Sequence, residues 1–341
     1  MNMIEAIGHT PLVQLKPASA NDSSIYAKLE LMNPFGMKDR VAKQILLEAK
    51  RTGQLQEGAP IIESSSGTMA CGVAMVGACL GHDVHIVTDP RMDAITMAKL
   101  TALGCRIDIV SAMGSNGWQS ARLERLEQLM TELPGAYWPR QYDNANNPAA
   151  YEALVQEVMQ DIAQIDYLVV SVGSGGSMSG TARALKRYNP QLRVIAVDCT
   201  GSVIFEQPDW PQRLQGGLGN SLVAANVDHT LVDEVHWLND EEAFAATLDL
   251  AKEQHIFAGN SSGSVYAVAR WLQTQVSDGA NILAIFPDRG DRYVDTIYNP
   301  NYRIAKQIDR LRLPEQPRHV PYRTVVHSWS YAVLSGVIHR V

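Results

Sequence analysis

The chain has 341 residues, of which 46% are hydrophobic and 19% charged, a balance that fits a globular protein of up to two domains and excludes a disordered one. Its formal charge of −7 and the absence of any lysine- or arginine-rich run argue against a general binder of nucleic acid. Residues 1–12 lack the basic and apolar regions of a signal peptide, and no apolar run reaches the roughly 18 residues of a membrane span, so we expect a cytoplasmic protein without membrane contact.

Strand-like and helix-like stretches alternate along most of the chain. Short apolar runs rich in β-branched residues predict strands at 60–63, 83–88, 106–110, 166–172, 193–198 and 281–287. Amphipathic stretches predict helices at 39–52, 69–80, 91–103, 117–132, 147–163, 178–188, 240–254 and 263–276. The alternation is typical of an α/β fold, so we expect two lobes with mostly parallel, twisted sheets and ligand sites at the carboxyl ends of the strands.

The last thirty or so residues have a different character. The stretch 311–328 contains three prolines and mixed polarity, and a more apolar stretch follows it. The pattern fits an extension that wraps the body or a partner subunit, and it fits a disordered tail equally well.

The cysteines are Cys71, Cys79, Cys105 and Cys199. None belongs to a C-x-x-C pair, and no cysteine–histidine spacing resembles a zinc site, so we expect no metal ion. Each stands beside apolar or small residues, which predicts buried free thiols in a reducing compartment.

Lys38 stands at the predicted start of the first helix, after a turn at 33–37. The helix dipole disfavours a cation at this end, and the same field helps to hold an amine neutral and nucleophilic. A solvated surface lysine is the simpler interpretation of this residue taken alone.

Two glycine-containing turns each lead from a predicted strand into a predicted helix. Residues 63–68 place three serines and a threonine before a helix, which suits a carboxylate, although any one of them could be the N-cap. The second turn comprises Gly173, Ser174, Gly175, Gly176 and Ser177. Its N–H groups suit a phosphate monoester, with an ordinary glycine turn as the alternative. Because its spacing fits neither a P-loop nor the dinucleotide fingerprint, a nicotinamide dehydrogenase is disfavoured.

These motifs resemble, in the same order, those of the cysteine synthase (O-acetylserine sulfhydrylase) and cystathionine β-synthase family of fold-type II pyridoxal-phosphate enzymes. The matching segments are IGHTPLVQL (7–15), NPFGMKDR (33–40), ESSSGTMACGVA (63–74), RQYDNANNP (140–148), GSGGSMSGTARALK (173–186), QGGLGN (215–220), GNSSG (259–263) and PDRGDRY (287–293). The resemblance implies a tryptophan synthase β-like fold and a homodimer. It divides the chain into a large cofactor-binding lobe (1–38 and 146–309), a small mobile lobe (39–145) and a C-terminal extension (310–341).

The resemblance also implies the roles of the matched residues. Lys38 would hold pyridoxal 5′-phosphate as a Schiff base and then act as general base at the substrate Cα, while residues 173–177 would bind the cofactor phosphate. The substrate would be bound by Ser65, Ser66, Gly67, Met69, Gln141 and Gly217.

The sequence departs from the family pattern at two places. Thr68 stands where the family has an asparagine beside the cofactor's ring hydroxyl, and Met69 stands where a hydroxyl residue is usual. Arg289 takes the position expected to meet the pyridine nitrogen, usually serine or threonine, and would keep that nitrogen unprotonated. Alternatively, Arg289 points to solvent and another group meets the nitrogen.

The resemblance implies β-replacement on an O-activated L-serine (O-acetylserine or O-phosphoserine) through an aminoacrylate, with sulfide as the first-choice nucleophile and L-cysteine as product. An amine nucleophile giving a 2,3-diaminopropionate-type product is the alternative, because the altered Thr68–Met69 pair suggests a specialised subgroup. A serine or threonine dehydratase is a further alternative, disfavoured by the segment 140–148. A catalytically silent relative is disfavoured by the intact Lys38 and residues 173–177.

Overall fold

The computed structural model describes residues 2–17, 23–114 and 117–334. The strands are β1 (Leu12–Gln14), β2 (Ser24–Lys28), β3 (Ile61–Ser64), β4 (Val84–Thr88), β5 (Arg106–Ile109), β6 (Tyr167–Ser171), β7 (Arg193–Cys199), β8 (Glu234–Leu238), β9 (Asn281–Ile285), β10 (Arg318–His319) and β11 (Ser330–Val333). The helices are α1 (Lys38–Arg51), α2 (Thr68–Cys79), α3 (Ala94–Ala102), α4 (Gly117–Glu132), α5 (Asn146–Ala149), α6 (Glu152–Asp161), α7 (Gly176–Lys186), α8 (Asp240–Gln254), α9 (Asn260–Gln273) and α10 (Pro300–Ala305).

The larger sheet has eight strands in the order β1-β2-β9-β6-β7-β8-β11-β10. Its centre, from β2 to β8, is parallel, while β1 and β11 join antiparallel to their inner neighbours. The inner strands are almost completely buried because helices cover both faces. The predicted α/β fold with mostly parallel sheets is confirmed.

The smaller sheet contains β3, β4 and β5, all parallel. Helices α2, α3 and α4 each follow one of these strands along the chain. In such strand–helix units the helix N-terminus lies at the carboxyl end of the strand, so three helices begin at one edge of this sheet. All three strands fall within the predicted small lobe, residues 39–145, whose mobility stays a prediction.

The predicted elements differ from the structure in several places. The helix predicted at 147–163 is divided into α5 and α6, and the helix predicted at 91–103 begins only at Ala94, because Asp93 is extended and caps it by accepting from the Thr96 N–H at 2.8 Å. The sequence pattern also missed β1, β2, β8, β10, β11 and α10.

The C-terminal extension folds onto the body. Strand β11 pairs antiparallel with β8, and the Trp329 indole donates a hydrogen bond of 3.1 Å to His236 Nδ1. The Gln207 side chain also binds this segment, since its amide N–H donates to the Thr324 carbonyl at 2.9 Å and its oxygen accepts from the Val326 N–H at 3.0 Å. The disordered-tail alternative is therefore wrong up to residue 334, and residues 335–341 lie outside the described part of the chain.

The four cysteines are free, but burial was predicted for all of them and holds only for Cys71 and Cys199. Cys79 is exposed because it is the last residue of α2, beyond the buried part of that helix, and Cys105 is half-buried in the loop that enters the partly exposed edge strand β5. Among the described residues, no helix is both long and apolar enough to cross a membrane.

Candidate active site

Lys38 is the first residue of α1, as the sequence predicted, and it reaches from there to the turn before α7. Its Nζ lies 3.1 Å from Ser174 Oγ. Burial lowers the pKa of Lys38 to about 8, and the Asp288 carboxylate opposes this shift. The amine is therefore much easier to deprotonate than that of a surface lysine.

The turn that Lys38 meets is shaped by its glycines. Gly175 has φ +80°, and a Cβ there would lie 2.7 Å from backbone atoms of Val227. A Cβ on Gly176 would collide with the Asn147 side chain. Since α7 begins at Gly176 with no side-chain cap, its first N–H groups remain available to an anion. Ser174 and Ser177 are buried on either side of this glycine pair.

The turn between β3 and α2 forms a second anion-binding arrangement. Ser65 Oγ accepts a hydrogen bond of 3.1 Å from the Gly67 N–H, and Ser66 next to it is half-buried. Gln141 is buried and donates to the Ser64 carbonyl at 3.0 Å, so the predicted carboxylate-binding residues lie together. The N-cap residue of α2 is Gly67, which has no side chain to cap the helix, and the first N–H groups of α2 face this turn.

Three further predicted site residues lie close to Asp288 or in the first turn of α2, namely Thr68, Gly217 and Met69. Thr68 Oγ1 is 3.5 Å from Asp288 Oδ1, and a Cβ on Gly217 would lie 3.7 Å from Asp288 Oδ2. The Met69 side chain packs into the main hydrophobic core, so only its backbone N–H in the first turn of α2 is left to contact a substrate.

Arg289 does not point toward Lys38. Its side chain is 45% exposed and pairs with Asp291 at 3.1 Å. The preceding Asp288 is buried and interacts electrostatically with Lys38. In this structure Arg289 therefore has the solvent-facing orientation of the second alternative, and which group meets the pyridine nitrogen stays a prediction.

Sequence reasoning missed several buried polar residues around this centre. Asp288 accepts hydrogen bonds of 3.1 Å from Arg292 and from the Tyr293 hydroxyl. Asn147 donates to Ser174 Oγ at 3.2 Å, and the side-chain amide of Asn260, buried at the start of α9, has no hydrogen-bond partner among the described residues. The only available signal was their position inside the quoted segments 140–148, 259–263 and 287–293.

The residues fit the cofactor that the resemblance implies. A partly buried amine with a lowered pKa lies beside a glycine-walled turn whose N–H groups are free to bind a phosphate. A second turn with uncapped N–H groups and a buried glutamine can bind a carboxylate.

Comparison with known proteins agrees with this arrangement. The family described as "Pyridoxal-phosphate dependent enzyme" matches residues 3–288. The chain is also 38% identical over 306 residues to N-(2-amino-2-carboxyethyl)-L-glutamate synthase of Cupriavidus metallidurans, covering 87% of this chain and 89% of the relative.

Two solved structures share the fold over most of their length. The O-acetylserine dependent cystathionine β-synthase of Helicobacter pylori has a TM-score of 0.82 and 30% identity, covering 88% of this chain and 99% of the other. A cysteine synthase of Entamoeba histolytica has a TM-score of 0.81 and 27% identity, covering 90% and 95%. The chain therefore belongs to the pyridoxal-phosphate dependent enzymes, among the β-replacement enzymes of the cysteine synthase type, with pyridoxal 5′-phosphate as its cofactor.

Proposed function

We propose that this enzyme joins the three-carbon unit of an O-activated L-serine to the amino group of a second amino acid, L-glutamate. The single observation that carries this proposal is the 38% identity to a synthase of N-(2-amino-2-carboxyethyl)-L-glutamate, compared with 30% and 27% for the cystathionine β-synthase and cysteine synthase structures. The product named there is a serine-derived unit attached to glutamate nitrogen, which corresponds to the amine alternative. The departures at Thr68 and Met69 also support a specialised subgroup.

Each group of site residues has a distinct task in this proposal. Pyridoxal phosphate supplies the electron-accepting ring that permits loss of a group from the serine Cβ. Lys38 anchors the cofactor and then carries the proton at the substrate Cα, for which a pKa of about 8 is well matched to neutral solution. Residues 173–177 hold the cofactor phosphate. Ser65, Ser66 and Gln141 hold the substrate carboxylate.

Sulfide is the second candidate nucleophile, and its product would be L-cysteine. It is supported by the cysteine synthase and cystathionine β-synthase structures, whose fold this chain shares. The two candidates share the first half of the reaction and differ only in what attacks the Cβ.

The test supplies the purified holoenzyme with O-phospho-L-serine or O-acetyl-L-serine, and then with L-glutamate or sulfide, one at a time. We expect mass spectrometry to detect N-(2-amino-2-carboxyethyl)-L-glutamate, formed with a higher kcat/KM than cysteine. The Lys38→Ala variant serves as the control and should form neither product above background.

Three outcomes would contradict the proposal. Cysteine formation with no glutamate adduct would favour the sulfide candidate, and release of pyruvate at full rate without any nucleophile would favour a dehydratase. Failure to consume either activated serine would exclude all of these functions.

A further inference from the structure

A cavity of about 290 Å³ lies between α8, α9 and the C-terminal extension. Its lining residues along α9 fall between 266 and 274 and recur once per turn, while the extension contributes 313–315 and Trp329. None of the lining residues belongs to the active site described above. The charged and aromatic ones are Asp249, Tyr266, Arg270, Trp271, Glu315 and Trp329. Since the body and the extension both form the walls, a molecule bound here would contact both.

The aromatic walls of the cavity are held in place by contacts with other rings. The Trp329 indole N–H donates to His236 Nδ1 at 3.1 Å. The Trp271 ring lies 5.2 Å from the His236 ring and 5.1 Å from the Tyr331 ring. The faces of tryptophan and tyrosine rings attract cations, and walls that are already ordered reduce the entropic cost of binding. The cavity is therefore suited to a ligand that has a positive charge.

One carboxylate in the lining of the cavity lacks a partner. Glu253 accepts from Arg270 Nη1 at 2.6 Å and from the Tyr266 hydroxyl at 2.7 Å, so its charge is matched. Asp249, one turn earlier on α8, makes no hydrogen bond or ion pair with any described residue. Burial raises the pKa of Asp249, and the charge of Glu253 raises it further, although Arg270 and Lys252 act in the opposite direction. A cation in the cavity would supply the charge that Asp249 lacks.

The lining of the cavity favours one class of ligand. Asp249 and the exposed Glu315 leave unmatched negative charge, which disfavours an anion. A bare metal ion is unsuited, because the described residues contain no group of three or more His, Cys, Asp or Glu side chains that could hold one. An organic cation satisfies both the carboxylate and the aromatic walls. The volume lies at the lower end of the roughly 300–1,000 Å³ of ligand pockets, so this cation must be small.

We propose that the cavity binds a small aliphatic amine in its protonated form. The ammonium group pairs with Asp249, and the carbon chain packs against the indole rings of Trp271 and Trp329. Because Trp329 belongs to the extension while Asp249 and Trp271 belong to the body, the bound amine stabilises the docking of the extension. The proposal does not depend on which nucleophile the active site uses.

Calorimetry on the holoenzyme at constant ionic strength tests the proposal with two probes of matched shape. N,N-dimethylbutylamine is a tertiary amine that cannot form an imine with the cofactor aldehyde, and N,N-dimethylbutanamide is its neutral counterpart. We expect the amine to bind at least about tenfold more tightly than the amide, as a hydrogen-bonded ion pair predicts. Equal affinities, or no binding of the amine, would overturn the proposal.

Three variants locate the binding of the amine. Asp249→Asn keeps the shape of the side chain and removes its charge, so the affinity for the amine should fall about tenfold or more while that for the amide stays constant. Glu315→Gln, at the exposed rim, should weaken amine binding by about threefold. Asp278→Asn alters an exposed carboxylate in the turn after α9, outside the cavity, and should change neither affinity. An equal fall in Asp278→Asn would show that the net charge of the protein, rather than the cavity, attracts the amine.

Hydrogen exchange gives a readout of the docked extension that is independent of turnover. The amine should slow amide exchange in residues 313–334 of the wild-type holoenzyme and should have no effect on them in Asp249→Asn. Binding of the amine without any protection of this segment would contradict the proposed position. If neither activated serine is consumed while the amine still protects the extension, the proposed function fails and the amine site stands.

Discussion

At the scale of single residues, the amine of Lys38 is tuned by two opposing effects. Burial lowers its pKa to about 8, while the Asp288 carboxylate acts in the other direction by favouring the ammonium form. Replacing Asp288 with asparagine removes the second effect, so the pKa of Lys38 should fall below 8 by roughly one unit. Because only the neutral amine attacks an aldehyde, the pH at which apoenzyme combines with pyridoxal phosphate at half its maximal rate should fall by the same amount. Stopped-flow absorbance across pH 6–10 measures this midpoint.

Asp291→Asn is the matched control for that measurement. Asp291 is three residues away, is 41% exposed and pairs with Arg289 rather than facing Lys38. Its replacement should leave the midpoint where it is. A midpoint in Asp288→Asn that is unchanged, or that moves to higher pH, would show that Asp288 does not act on the amine.

The pair Asp288 and Arg289 also shows where the sequence stops being informative. A helix-start lysine after a glycine turn is visible in local sequence, so Lys38 could be placed correctly. Arg289 is in extended backbone, φ −71° and ψ 149°, where neighbouring side chains point to opposite sides of the chain. Which of the two faces the site depends on the register of this segment, and the motif PDRGDRY does not contain that information.

At the scale of elements, the turn before α7 depends on a glycine for two separate reasons. Gly175→Ala would place a side chain at φ +80° and bring its Cβ within 2.7 Å of the Val227 backbone. We expect a loss of about 3 kcal/mol in the free energy of unfolding, from left-handed strain together with overpacking, and weaker binding of pyridoxal phosphate. Urea unfolding and a fluorescence titration of the apoenzyme with cofactor measure the two effects.

Gly279→Ala separates the strain from the close contact. Gly279 has nearly the same φ, +81°, and within the described part of the chain no atom beyond its immediate neighbours lies within 4 Å of its hypothetical Cβ. Its replacement should cost only about 1 kcal/mol and leave cofactor affinity unchanged. Equal losses in the two variants would mean that the contact with Val227 is unimportant.

Strands could be predicted from the sequence where they consist of a short, continuous apolar run. Strands β3, β4, β6, β7 and β9 are short apolar runs, and they were recovered within one or two residues. Strand β8 was missed because Glu234 and His236 interrupt it, although both are buried. Their side chains bond to each other at 2.7 Å, and Trp329 from the extension bonds to His236. The second ring nitrogen of His236 is thus satisfied by a residue 93 positions away in the chain, a contact that no local pattern reveals.

At the scale of the whole molecule, a buried ion network ties distant segments together behind the active site. Arg40, two residues after Lys38, makes paired hydrogen bonds to Glu30, at 2.7 and 2.9 Å, and to Glu157, both at 2.8 Å. Lys28 completes the network by donating to Glu157 and to the Thr10 carbonyl, each at 2.6 Å. The N-terminal segment, β2, α1 and α6 therefore meet in one charge-balanced cluster, which the sequence pattern did not predict because its members are far apart in the chain.

Glu157→Gln should destabilise the protein by about 3–5 kcal/mol at neutral pH, because it leaves Lys28 and Arg40 buried with an unbalanced charge. Although burial raises the pKa of Glu157, its bonds to Arg40 and Lys28 prevail and lower it to about 2 from the ordinary 4.5. A depressed folded-state pKa gives stability that is full above pH 4.5 and is lost as the pH falls toward 2, so the difference between wild type and variant should shrink through that window. Urea unfolding at several pH values measures it, with Glu152→Gln on the same helix as the control. Glu152 pairs with Arg187 at the exposed surface, so this pair should contribute less than about 1 kcal/mol to stability. If the stability difference between wild type and Glu157→Gln stayed constant across the pH window, the charge of Glu157 would not be what stabilises the cluster.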